Sequence, residues 1–277
     1  MRLCMKICII GCGYVGRSAA IKWKNEGHEV TVTTRCLKKA SELRQWTDQV
    51  YILGGDWQKL LEKQDVVILA VAPDSPADYR PTYLGTAEKL VKALKNTHVS
   101  QVIYTGSSSV YGEQGGLWVD EETKPHPTQT NSKILLSTEE ILFQAATSYR
   151  QICVFRLGEI YGPGRSIVER VKRMLGTVCA GTGDNYTNLI YLDEIVSAMA
   201  YAQQNKLAGI YNLCDDFHIP RKELYKKISK FYGWPDVQWN PSLQSSFHGS
   251  KKVSNEKIKA AGWQINKENS GLRSILF

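Results

Sequence analysis

No stretch of the 277 residues approaches the ~20 consecutive apolar residues that a membrane-spanning helix needs, so no membrane partner is expected. The N-terminus does not read as a cleavable leader, because a basic residue is followed almost at once by a strand that enters a glycine turn. Internal repeats and long linkers are absent. Cysteine is present without a framework: the seven residues (Cys4, Cys8, Cys12, Cys36, Cys153, Cys179 and Cys214) are odd in number and scattered, which suits a reducing cytoplasm. The spacing of Cys8 and Cys12, on a strand and the turn after it, gives no ligand geometry, so no metal is expected. Positive charge outweighs negative, 35 Lys and Arg against 27 Asp and Glu, for a formal net charge of +8. It is not gathered into a tail. Lys222, Lys226, Lys227 and Lys230 recur at helical spacing, as a solvated helix face does. Such an excess suits nucleic acid, an acidic membrane surface or an anionic small molecule, and with no helix-turn-helix and no aromatic-interleaved basic motif nucleic acid ranks last as a partner.

What the chain does have is concentrated near its start. The apolar run Ile7–Ile10 leads directly into Gly11, Gly13 and Gly16, and then into a helical stretch at Arg17–Trp23. Strand, glycine turn and helix in that order form the pattern that cradles a dinucleotide pyrophosphate. Gly11 permits the tight turn, Gly13 lets the pyrophosphate approach the backbone, and Gly16 lets helix and strand pack closely. Tyr14 and Val15 open the helix, whose N-terminal amides and positive dipole face the anion.

Beyond that helix, Glu29–Thr34 alternates as a strand does. Where an acidic side chain would accept hydrogen bonds from the adenosine ribose, the chain has Thr34 and Arg35, with Lys38 and Lys39 close by. A guanidinium pairs with a 2′-phosphate in a fork, so NADP(H) is expected over NAD(H). Val50–Leu53, Asp65–Ala72, Gln101–Thr105, Gln151–Leu157 and Gly209–Cys214 read as further strands, alternating with helices at Ala87–Leu94 and Lys133–Ala146 and with one opened by Asp193-Glu194 within segment 184–203. The expected class is α/β, a doubly wound parallel sheet with a smaller C-terminal lobe. Residues 1–157 would form the dinucleotide-binding domain and 158–277 mainly a substrate-covering lobe, with 188–214 returning to the first domain. Ligands in such sheets lie beyond the carboxyl ends of the strands, which places Gly11–Gly16, Asp56, Ala70, Val71 and Thr105–Ser109 around one crevice.

Read together, GCGYVG at 11–16, GDW at 55–57, DVVILAVAP at 65–73, YTGSSSVYG at 104–112, FRLGEIYGPGR at 155–165, NLIYLD at 188–193 and YNLCDD at 211–216 resemble the extended and atypical short-chain dehydrogenases/reductases of the NAD(P)-dependent epimerase/dehydratase family. The resemblance covers nearly the whole chain. It implies a Rossmann-type sheet, a lobe over a small carbonyl or hydroxyl substrate such as a nucleotide-linked sugar, and an interface helix beginning at Lys133 through which relatives form homodimers. Arg165, after a glycine turn in the lobe segment, suits an anionic substrate.

In typical members a Ser or Thr, a Tyr and a Lys match hydride transfer with proton transfer at the substrate oxygen. The resemblance assigns the hydroxyl to Ser107, with Ser108 and Ser109 beside it, and the lysine to Lys133, which also holds the nicotinamide ribose. The tyrosine should stand four residues before Lys133, and Gln129 stands there instead. An amide cannot release a proton at any accessible pH. Three explanations stay open: another phenol (Tyr111 first, or Tyr83, Tyr161 or Tyr191) takes the role, the proton travels through water and Lys133, or the chain binds NADP(H) as a sensor without turnover.

Overall fold

The computed structural model describes residues 4–243, 249–266 and 272. By contacts the chain divides into two compact units. The first runs through Ser107 and adds Gln129–Arg156 and Val196–Tyr211. The second comprises Ser108–Thr128, Leu157–Ile195 and the chain from Asn212 onward.

The first unit is built on seven strands, β1 (Lys6–Ile10), β2 (Glu29–Thr34), β3 (Gln49–Ile52), β4 (Val66–Leu69), β5 (Gln101–Ser107), β6 (Gln151–Leu157) and β7 (Gly209–Leu213). They lie in the order β7-β6-β5-β4-β1-β2-β3, and the pairings from β5 across to β3 are parallel. Parallel neighbours need crossovers, and the helices Tyr14–Asn25 (α1), Leu37–Leu43, Leu84–Leu94, Thr130–Phe143 and Leu192–Gln204 supply them. Because both faces are covered, the central strands are continuously apolar: Ile7–Ile10 and Val67–Leu69 are all fully buried. The core on one face joins Leu69, Leu90, Leu94, Val102, Tyr104, Leu142 and Val154. Strand order reverses at β1, between β4 and β2, so their carboxyl ends form a switch-point crevice.

Two buried polar features anchor this unit. The Arg156 guanidinium grips the Glu139 carboxylate, Nη2 to Oε2 at 2.7 Å, with both side chains almost fully enclosed. This ties β6 to the helix Thr130–Phe143. The Arg150 guanidinium donates to the carbonyls of Val99, Ala145, Leu94 and Thr97.

The second unit has its own core, in which Ile167, Val171, Leu189, Leu224, Tyr225 and Ile228 pack together. Its strands are short and join in parallel pairs: Glu159–Tyr161 with Leu189–Tyr191, Val178–Ala180 with Gln238–Asn240, and Trp118–Val119 with Lys252–Val253. Among the described residues no helix is long and apolar enough to cross a membrane.

Candidate functional site

The turn after β1 is held by its neighbours. The Gly11 amide donates to the Thr33 hydroxyl on β2 at 3.2 Å, and the Ala70 amide donates to the Ile10 carbonyl at 2.9 Å. Gly11 has φ +96°, and a Cβ there would lie 2.6 Å from the Ala70 carbonyl oxygen and 2.8 Å from the Val71 Cα. Ala70 and Val71 therefore form the wall against which the turn closes. A Cβ at Gly16 would overlap the Gly11 carbonyl oxygen, so α1 can begin this close to β1 only with glycine there. Gly13 differs. A Cβ on it would meet nothing within 4 Å, and it is the N-terminal cap of α1, where a glycine has no side chain of its own to cover the first amides. Free approach to the Gly13 backbone beside a helix N-terminus is the arrangement a pyrophosphate requires, and Gly11, Gly13, Tyr14, Val15 and Gly16 fit it.

Cys12 sits inside this turn. Burial pushes its thiol up to about 11, against the opposing pull of Arg17, so it remains protonated at neutral pH.

At the end of β2 the Thr34 hydroxyl turns back to its own strand end, accepting from the Cys36 amide at 3.1 Å. The Arg35 guanidinium pairs with Asp74, Nη2 to Oδ2 at 2.6 Å. Asp74 lies beyond β4, so the pair spans the mouth of the glycine turn. Asp56 caps the helix Trp57–Leu61, its side chain accepting from the amides of Gln58 and Lys59.

Further along the same edge, the Thr105 hydroxyl donates to the Leu69 carbonyl at 3.3 Å, and β5 ends at Ser107. Lys133 stands exposed in the first turn of the helix Thr130–Phe143, and Gln129 caps that helix through its backbone alone. The Lys133 amide donates to the Gln129 carbonyl at 3.0 Å, which closes the first turn of that helix. Nearby in the fold of this unit, burial pushes the Tyr83 hydroxyl up to about 12, with Tyr79 beside it adding to the rise.

In the second unit the short helical turn Ser108–Tyr111 is clamped from several sides. The Tyr111 ring is fully buried, and its hydroxyl donates to the Asn212 Oδ1 at 2.8 Å. The Asn212 amide in turn donates to the Glu121 carboxylate at 2.6 Å, and burial raises the Glu121 pKa. Lys251, almost fully buried with its pKa lowered by burial, donates to the Gly112 carbonyl at 3.0 Å. Glu159 is bridged to Arg170 and to Arg221, while Arg165 is exposed. Asn212, Lys251, Glu121 and Asp74 escape sequence reading because each matters through a partner distant in the chain. Among the described residues no group of three or more His, Cys, Asp or Glu suited to a metal ion occurs.

Comparison with known proteins gives a consistent result. A family model described as the NAD dependent epimerase/dehydratase family matches residues 7–214. The chain is 25% identical over 251 residues to Protein YeeZ of Escherichia coli K12, covering 87% of this chain and 88% of that one. It is 27% identical over 167 residues to the dTDP-D-glucose 4,6-dehydratase of Dictyostelium discoideum, covering 52% and 38%. Among solved structures, UDP-glucuronic acid 4-epimerase from Bacillus cereus, in complex with UDP-glucuronic acid and NAD, superposes with a TM-score of 0.79 at 20% identity over 97% of both chains. MoeE5 in complex with UDP-glucuronic acid and NAD does so at 0.81 and 16% identity, over 97% of this chain and 96% of that one. These likenesses show the fold.

Proposed function

Since the chain belongs to the NAD dependent epimerase/dehydratase family, we propose that it is an NAD(P)-dependent enzyme of the epimerase, dehydratase or reductase type. Its substrate in this reading is a nucleotide-linked sugar, and its cofactor is NADP(H) in preference to NAD(H). The observation that carries the reading is the glycine turn, with the Gly13 backbone open to an anion at the mouth of α1 and a guanidinium at the end of β2. Relatives in complex with a UDP-sugar and NAD support the substrate class.

A bound nicotinamide dinucleotide supplies hydride acceptance and donation at its C4. The chain's own groups then have three tasks: to seat the pyrophosphate on the amides after Gly11 and Gly13, to hold the nicotinamide ribose with Lys133, and to orient the substrate oxygen with Ser107. The proton lost or gained at that oxygen needs a carrier. Tyr111 is the first phenol after Ser107 in the chain, but its burial and its bond to Asn212 favour the other route, a water held by the Lys133 ammonium. In that route Tyr111 positions the turn that follows Ser107.

A second reading, a dinucleotide sensor without turnover, is favoured by one observation: Gln129 at the place of the usual tyrosine. A spectrophotometric assay of NADPH and NADH consumption, and of epimer formation, over a panel of UDP- and dTDP-sugars separates the two. Turnover that is lost on Lys133→Ala and kept on Tyr111→Phe is expected. Dinucleotide binding with no turnover on any member would favour the sensor, and turnover abolished by Tyr111→Phe would return the acid/base role to that phenol.

A further inference from the structure

The ion pair over the glycine turn bears on which dinucleotide the turn accepts, an inference that rests on the cofactor reading above. The strands β4, β1 and β2 are neighbours in that order. Arg35 directly follows β2 and Asp74 lies beyond β4, so the two residues stand on opposite flanks of the turn that ends β1. Their side chains nevertheless meet, Nη2 to Oδ2 at 2.6 Å, while 52% and 79% exposed. Neither side chain is held in place by burial, and an exposed pair of this kind is weak enough for a ligand to open.

Guanidinium geometry makes the pair consequential. The planar fork can hold one tetrahedral anion with two parallel N–H donors. With one arm on the Asp74 carboxylate, the fork is shared, and a 2′-phosphate arriving at the end of β2 must displace that carboxylate, which at 79% exposure then turns away into solvent. A ribose with a free 2′-hydroxyl meets no such obstacle.

We propose that Asp74 is a specificity-determining residue: by holding Arg35 across the mouth of the glycine turn it tempers the affinity for a 2′-phosphate, so that the preference between the two dinucleotides is set by the Arg35–Asp74 pair and not by Arg35 alone. The test is nicotinamide fluorescence titration of the full chain with NADPH and with NADH. Asp74→Asn keeps the side-chain shape and removes the charge. It should tighten NADPH binding by about two- to fivefold, the range expected for loss of an exposed competing ion pair, and leave NADH unchanged. In an Arg35→Ala background the same substitution should have no effect on either. Unchanged or weaker NADPH binding in Asp74→Asn overturns the proposal, as does equal tightening of both dinucleotides or a gain that persists without Arg35. A wild-type chain that binds neither dinucleotide overturns the cofactor reading and this proposal with it, whereas a wild type that binds NADPH with a silent Asp74→Asn overturns this proposal alone.

Discussion

A Cβ added at Gly11 would lie 2.6 Å from the Ala70 carbonyl oxygen and one at Gly16 would overlap the Gly11 carbonyl oxygen, whereas one at Gly13 would meet nothing within 4 Å. The glycines of this turn therefore separate into two that the fold needs and one that only a ligand needs. Gly11→Ala or Gly16→Ala should destabilise the chain by about 1–3 kcal/mol, the usual cost of overpacking, and lower the midpoint of thermal unfolding. Gly13→Ala should leave that midpoint unchanged and weaken NADPH by about tenfold, or ~1.4 kcal/mol. Equal thermal losses for Gly13→Ala and Gly16→Ala would show that the turn is merely a tight connection. The three glycines were legible in the sequence because their spacing after an apolar strand is itself the signal. Asp74 was not, since nothing local marks an aspartate after Pro73 as the partner of an arginine on another strand.

Among the elements, the helix Thr130–Phe143 has the most to hold, because it carries Lys133 in its first turn. Its position in the first unit is fixed by the Glu139–Arg156 pair, at 2.7 Å and almost fully enclosed. Burial raises the Glu139 pKa against the opposing pull of the guanidinium. Removing one member strands the other charge in the interior, so Arg156→Met should lower the free energy of urea unfolding by about 3–5 kcal/mol. Replacing both, Glu139→Leu with Arg156→Met, should regain most of the loss, since an apolar pair leaves no charge behind. A loss below about 1 kcal/mol in the single variant would mean that the pair does not anchor the helix. Elements of this size read well from the sequence: Glu29–Thr34 and Gln151–Leu157 have the bounds that their apolar patterns indicate. The short strands of the second unit did not, and the reason is physical. Trp118–Val119 and Lys252–Val253 are too short to show a period, and each becomes a strand only through the other.

For the whole molecule, one unit contains every residue assigned to the pyrophosphate and adenosine end of the dinucleotide, from Gly11 to Arg35 and from Asp56 to Val71. The fold class was legible because alternating strands and helices with buried parallel strands admit few other architectures. The chemistry was less so: the departure at Gln129 shows what is missing, whereas the bond from Tyr111 to Asn212 depends on a contact between residues 101 positions apart. Substrate and turnover rest in turn on whether the glycine turn holds a dinucleotide at all. Calorimetric titration of the wild-type chain with NADPH and NADH measures that directly, with Arg35→Asp run alongside. Saturable binding of NADPH tighter than NADH, with the order reversed in Arg35→Asp, is the expected result. No heat with either dinucleotide would contradict it.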